Sequence, residues 1–175
     1  MSYKPGQIVV ASGARHNVYV ALRTLVNPGD EIILPAPHWI SFCKLIKMVG
    51  GVPVIIDCPE SEHFKLTEEK LRIAVTPKTK ALILTNPSNP TGILYNKDEL
   101  AALAHICVEN GIYVIADEIC YRLVYDNRKF VSFASLGEEI KDITILINGV
   151  SKTYAMTGWR IGYAAANDKI AEIMG

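Results

Sequence analysis

The sequence predicts an α/β fold: a three-layer sandwich built on a mostly parallel, seven-stranded sheet. Three observations carry this. Seven short runs rich in β-branched and apolar residues recur along the 175 residues. Stretches with apolar side chains at helical spacing separate them, the alternation expected of a chain that winds back and forth across one sheet. Several runs are apolar without a break, as strands covered on both faces are.

The first run is Gln7–Ser12. Val18, Leu22, Leu25 and Val26 then make one helical stripe, ended by Asn27-Pro-Gly. Glu31–Pro35 is the second strand. Trp39, Phe42, Cys43 and Ile46 fall at i, i+3, i+4 and i+7, and Gly50-Gly51 stops that helix. Val52–Cys58 is the third strand, and Thr67-Glu-Glu opens a short helix to about Val75. Lys80–Thr85 is the fourth. Leu100, Leu103, Ala104 and Cys107 repeat the helical spacing; Asn96 caps that helix with Glu99 three residues on, and Gly111 closes it. Tyr113–Asp117 is the fifth strand, followed by a helix near Phe133–Lys141. Ile143–Asn148 and Arg160–Ala166 complete the seven, and a further helix starts near Asp168. Strand order cannot be read from this pattern.

The bulk numbers narrow the class. A chain of this length supports one sizeable core and one domain. Eighteen basic and eighteen acidic side chains cancel. No basic run points to nucleic acid or to an anionic membrane. No apolar stretch reaches the roughly 18 residues of a membrane span. The N-terminus, Met-Ser-Tyr-Lys-Pro-Gly-Gln, is polar and unlike a signal peptide. Half the residues are hydrophobic, somewhat greasy for a free-standing domain. Cys43, Cys58, Cys107 and Cys120 are widely spaced with no CxxC pair, so they read as reduced core thiols of a cytoplasmic protein. His16, His38, His63 and His105 show no metal spacing and read as structural or surface residues.

Four segments follow predicted strands, where α/β sheets gather ligands. Ser12-Gly-Ala-Arg15 opens the first helix, and its small residues leave backbone N–H groups open to a phosphate. Asn86-Pro-Ser-Asn-Pro-Thr-Gly92 is a rigid loop in which Asn89 can offer its amide to a ligand oxygen. Asp117 ends a strand, where a carboxylate could pair with a pyridinium nitrogen. Lys152 follows an apolar strand in a small-residue turn. Partial desolvation there would favour the neutral amine, which can form an imine with an aldehyde cofactor. Arg160, eight residues on, can bind a phosphate. Each segment has a plainer alternative: a small-residue turn, a tight turn, a helix cap or surface acid, and a solvated lysine. Trp39 is either core or a stacking platform. Ser151 has no evident His/Asp partner for a hydrolase triad.

Taken together, Asn27-Pro-Gly-Asp-Glu, Pro35-Ala-Pro, Asn89-Pro-Thr-Gly92, Asp117-Glu118 and Ser151-Lys-Thr-Tyr-Ala-Met-Thr-Gly-Trp-Arg-Ile-Gly-Tyr163 closely resemble the class I aminotransferases, pyridoxal 5'-phosphate (PLP) enzymes of fold type I. The likeness is closest to the aspartate and aromatic branch and runs from about Tyr3 to Gly175. It implies a large domain with one antiparallel strand in its seven-stranded sheet. It also implies transfer of an amino group between an amino acid and a 2-oxo acid, and a homodimer in the full-length parent. Lys152 would carry the cofactor imine and shuttle the proton, and Asp117 would hold the pyridine nitrogen protonated. Asn89 would bond the phenolic oxygen and Trp39 would stack on the ring. Arg160, Gly13, Ala14, Arg15 and Ser151 would hold the phosphate.

Two departures qualify the resemblance. The family usually has a tyrosine three residues after the aspartate; here that position is Cys120, and the tyrosine is Tyr121. Family members are also roughly twice as long, with an N-terminal arm and a small C-terminal domain bearing the arginine for the substrate carboxylate. The expectation is therefore that residues 1–175 are a PLP-binding large-domain fragment. Two alternatives stay open: a PLP-dependent C–S β-lyase or decarboxylase, and a catalytically inactive scaffold.

Overall fold

A computed structural model describes residues 1–175. Seven strands form one sheet: β1 (Ile8–Ser12), β2 (Glu31–Ala36), β3 (Val52–Asp57), β4 (Thr79–Thr85), β5 (Tyr113–Asp117), β6 (Thr144–Gly149) and β7 (Ile161–Ala165). Their order is β1-β7-β6-β5-β4-β2-β3. β2 pairs in parallel with β3 and β4, and β4, β5 and β6 continue in parallel. β7 alone runs against its neighbours, β6 and β1. All seven predicted strands are present within one or two residues of their expected ends.

The helices are α1 (Ala14–Leu25), α2 (Ser41–Met48), α3 (Glu68–Ala74), α4 (Lys97–Glu109), α5 (Glu138–Asp142) and α6 (Asp168–Met174). They sort to the two faces of the sheet because strand side chains alternate in direction. Ile32, Leu34, Ala81, Ile83, Ile115, Ile145 and Ile147 pack with α1, α2 and α6. Ile33, Leu82, Leu84, Val114 and Ala116 pack with α3 and α4. Both faces are therefore dry, which is why β4, β5 and β6 carry no polar alternation.

Local signals set the helix ends. Asn96 Oδ1 accepts from Glu99 N at 2.9 Å, while Glu99 Oε2 accepts from Asn96 N at 2.7 Å, so the predicted capping box is formed. Thr67 caps α3 through the Lys70 N–H. Two helix expectations are corrected. The helix placed over Phe133–Lys141 is two pieces, a short 3-10 turn at Phe133–Ser135 and α5, parted at Gly137. Trp39 precedes α2 rather than opening its stripe. The helix buries Phe42, Leu45 and Ile46, and Trp39 reaches the same core from the loop, edge-on to Phe42 with ring centroids 5.3 Å apart.

Candidate active site

Register decides where the site lies. Thr85 pairs with Asp117, Asp117 with Ile147, Gly149 with Gly162, and Ser12 with Ile161. The carboxyl ends of β1, β4, β5 and β6 thus stand side by side with the start of β7. The winding of the sheet also reverses between β2 and β4, the position at which open α/β sheets leave a crevice. A cavity of about 770 Å³ opens there. Ala14, Arg15, Trp39, Asn89, Asp117, Ser151, Lys152 and Arg160 all line it. Of the predicted site residues only Gly13 is not on the wall; it lies directly behind Arg160.

The anion end is built by two glycines. Gly13 caps α1 with a φ of 84°, and no acidic side chain occupies the first turn of that helix. First-turn N–H groups lack intrahelical acceptors, so this end attracts negative charge. A Cβ on Gly13 would sit 2.4 Å from Nη2 of Arg160. A Cβ on Gly162 would sit 2.2 Å from the backbone nitrogen of Ala14. The missing side chains let β7 and the guanidinium close on the helix start. Arg160 Nη1 donates to the Thr157 carbonyl at 2.9 Å, which fixes the guanidinium beside that N-terminus.

The acid end is buried. Asp117 is 8% exposed, and its Oδ1 accepts from the Ile119 N–H at 3.2 Å. Burial pushes its carboxyl up to about 6, with that hydrogen bond pulling the other way. The sequence marks Glu118 only as part of the Asp117-Glu118 motif. It is buried on the opposite face, where Oε1 accepts from Phe133 N at 2.8 Å and from Ser132 Oγ at 3.0 Å. Burial raises it to about 7. Its role is to hold the 132–133 segment against the strand end.

The 86–92 loop is tied at its base. Asn86 N donates to the Asp117 carbonyl at 3.0 Å, and Asn86 Oδ1 accepts from Tyr95 N at 3.0 Å. Ser88 N donates to Ile93 O at 2.9 Å. Asn89 is thereby held out at the tip, exposed to the cavity. Trp39 has both characters. One edge packs on Phe42, and Arg15 lies 4.6 Å from the centre of the ring.

Lys152 departs from expectation in one respect. It lines the cavity, but the turn after β6 carries it past the strand end and leaves it exposed. The desolvation expected from its place after a buried strand is not supplied by these residues. Cys120 also lines the cavity. Tyr121 does not: it meets Phe130 edge-on with ring centroids 5.9 Å apart, beneath Arg122. The thiol, not the phenol, faces the site. Thr85, Tyr19, Leu45 and Met48 also lie on the wall. Sequence spacing gave no sign of them, because it does not say which helix lies over which strand end.

A guanidinium, a helix N-terminus, a buried carboxylate, an amide, an indole and an amine therefore share one cleft. Such a set can hold an anionic group at one end and a protonated ring nitrogen at the other, with an amine on the same wall.

Comparisons with known proteins agree. The family model "Aminotransferase class I and II" matches residues 1–175. An aspartate aminotransferase of Bacillus subtilis is 45% identical over 174 residues, 99% of this chain and 44% of that protein. The crystal structure of an aspartate aminotransferase from Rhizobium meliloti superposes with a TM-score of 0.97 at 38% identity, covering 99% of this chain and 44% of that one. An aromatic aminotransferase from Pyrococcus horikoshii superposes with a TM-score of 0.95 at 35% identity, covering 99% and 46%. The chain thus spans less than half the length of these relatives. On this identity along its whole length, the chain belongs to the class I and II aminotransferases.

Proposed function

We propose that residues 1–175 are the PLP-binding large domain of an aminotransferase that moves an amino group between an amino acid and a 2-oxo acid. One observation carries this: Asn89, Asp117 and the pair Lys152 and Arg160 leave three separate segments and line one cavity. No metal, nucleic acid or membrane enters the reading; no helix is long and apolar enough to cross a bilayer. A cytoplasmic homodimer is the assembly that fits it.

The residues present fit the cofactor. The cradle that a Cβ on Gly13 would fill lies between the α1 N-terminus and Arg160, which suits a phosphate. Asp117, raised by burial, gains most from a cationic partner, which suits a pyridinium. In this reading Arg160, Ser151 and the N–H groups of Ala14 and Arg15 hold the phosphate, while Gly13, whose own N–H donates to the Ala11 carbonyl at 2.7 Å, shapes the turn behind them. Asp117 holds the ring nitrogen, Asn89 the phenolic oxygen, Trp39 the ring face and Lys152 the aldehyde. Bound there, PLP supplies an electron sink for the substrate α-carbon.

The chain's own groups do the rest. Burial penalises the Asp117 charge and a cation facing it relieves that penalty, so it favours the protonated ring. Arg160 and the helix end fix the anionic terminus and stop the ring from sliding along the cleft. Trp39 covers one side and excludes water. Lys152 Nζ, on the exposed side, is the one amine on the cavity wall and the group positioned to take and return a proton.

The test is chemical trapping. Incubation with PLP followed by borohydride should leave a pyridoxyl group on Lys152, mapped by peptide mass spectrometry. Lys152→Ala should abolish it. Modification spread over surface lysines, with Lys152 unlabelled, would refute the assignment. Sustained turnover of aspartate and 2-oxoglutarate by the 175-residue chain would separately exclude an inactive scaffold.

A further inference from the structure

The four thiols sit in different surroundings. Cys58 and Cys107 are buried, and burial pushes the Cys107 thiol up to about 12 and raises Cys58 as well. Cys120 is half-buried, raised by burial and by the Asp117 carboxylate against the pull of Lys152.

Cys43 has a partner of another kind. It is half-buried in the first turn of α2, and its Sγ lies 3.6 Å from Nε2 of His38. His38 Nδ1 lies 3.1 Å from the carbonyl oxygen of Trp39. A carbonyl oxygen can only accept, so Nδ1 carries the proton and donates. The neutral ring then presents a bare Nε2 to the thiol. Nucleophile, base and a third group orienting the base follow one another through these two contacts, the arrangement that activates weak nucleophiles. Neither residue belongs to the proposed PLP set, yet Trp39, whose carbonyl orients His38, lines that cavity.

We propose that Cys43 is a base-activated nucleophile with His38 as its base, and that the pair is a site of reversible modification by small-molecule disulfides. Cys43 passes its S–H proton to His38 Nε2. The thiolate attacks one sulfur of the disulfide, and a new S–S bond to Cys43 forms as the old one breaks. The leaving thiolate takes the proton back from His38. Cys43 is oxidised to a mixed disulfide, and the small disulfide, which is the oxidant, is reduced to one thiol. The added group lies against the loop that carries Trp39, so modification should also loosen PLP binding.

Dithiodipyridine is the probe, with the modified cysteine located by mass spectrometry of the folded chain at pH 7. Cys43 should react at least about 10-fold faster than Cys120, the other half-buried thiol. His38→Gln can still donate to the Trp39 carbonyl but is no base; it should slow Cys43 at least about 10-fold and leave Cys120 unchanged. Cys43→Ser should remove the fast phase. Equal rates at Cys43 and Cys120 in the parent would overturn the proposal without reference to any variant. A His38→Gln rate within about twofold of the parent at Cys43, with Cys120 unaltered, would overturn it too.

Discussion

Asp117→Asn isolates the stability cost of placing a carboxylate at the tip of β5. The folded chain raises this carboxyl from 3.8 to about 6, chiefly by burial. A carboxyl raised on folding is favoured in its neutral form. Its stability is therefore complete below the unfolded value of 3.8 and is lost as pH rises through about 6. At about 1.4 kcal/mol per tenfold change in proton affinity, the cost grows from about 0.5 kcal/mol at pH 4 to about 3 kcal/mol at pH 8. Asparagine keeps an Oδ1 to accept the Ile119 N–H and carries no charge. The variant should match the parent near pH 4 and exceed it by about 3 kcal/mol at pH 8. With a urea slope of about 2 kcal/mol per M, the unfolding midpoint at pH 8 should rise by about 1.5 M. Glu118, raised partly by Asp117, relaxes in the same direction. Urea melts followed by far-ultraviolet circular dichroism from pH 4 to 8 measure the gap. A gap that does not widen with pH, or a variant less stable than the parent at pH 8, would refute the reasoning. Saturating PLP should then reverse the order, because a pyridinium stabilises only the aspartate.

Other substitutions probe other layers. Gly13→Ala meets both a φ of 84° paired with a ψ of 158° and Arg160 Nη2 at 2.4 Å; it should cost about 1–3 kcal/mol in a urea melt. It should also weaken PLP binding, read by fluorescence titration, at least about 10-fold as the guanidinium swings away. Asn96→Ala removes one half of the α4 capping box and should lower stability by about 1 kcal/mol with PLP binding unchanged. Leu103→Ala, at a side chain 1% exposed between α4 and the sheet, should cost about 2–5 kcal/mol in the same melts.

Different parts of the chain were legible to different degrees. The strands and long helices were plain because their signals are local. Apolar runs such as Leu82–Leu84 and Ile145–Ile147 belong to strands covered on both faces, and Asn96 with Glu99 marks a helix start within four residues. The two misjudged helices show where local pattern stops. Trp39 satisfied helical spacing and still lies outside α2, because a loop can deliver an indole to the same core. Gly137 broke the segment after β5 in a way that apolar spacing does not record.

The sequence by itself determined that this is an α/β chain of the aminotransferase family, and which side chains were worth watching. It did so because hydrophobic period, caps and motif residues are written in neighbouring positions. Only the tertiary structure decided that Asn89, Asp117, Lys152 and Arg160 share a cavity, that Lys152 is exposed there, that Cys120 and not Tyr121 faces it, and that Cys43 meets His38. Those facts depend on strand order and register. Both are fixed by pairing between segments far apart in the chain, through backbone hydrogen bonds that any residue but proline can make.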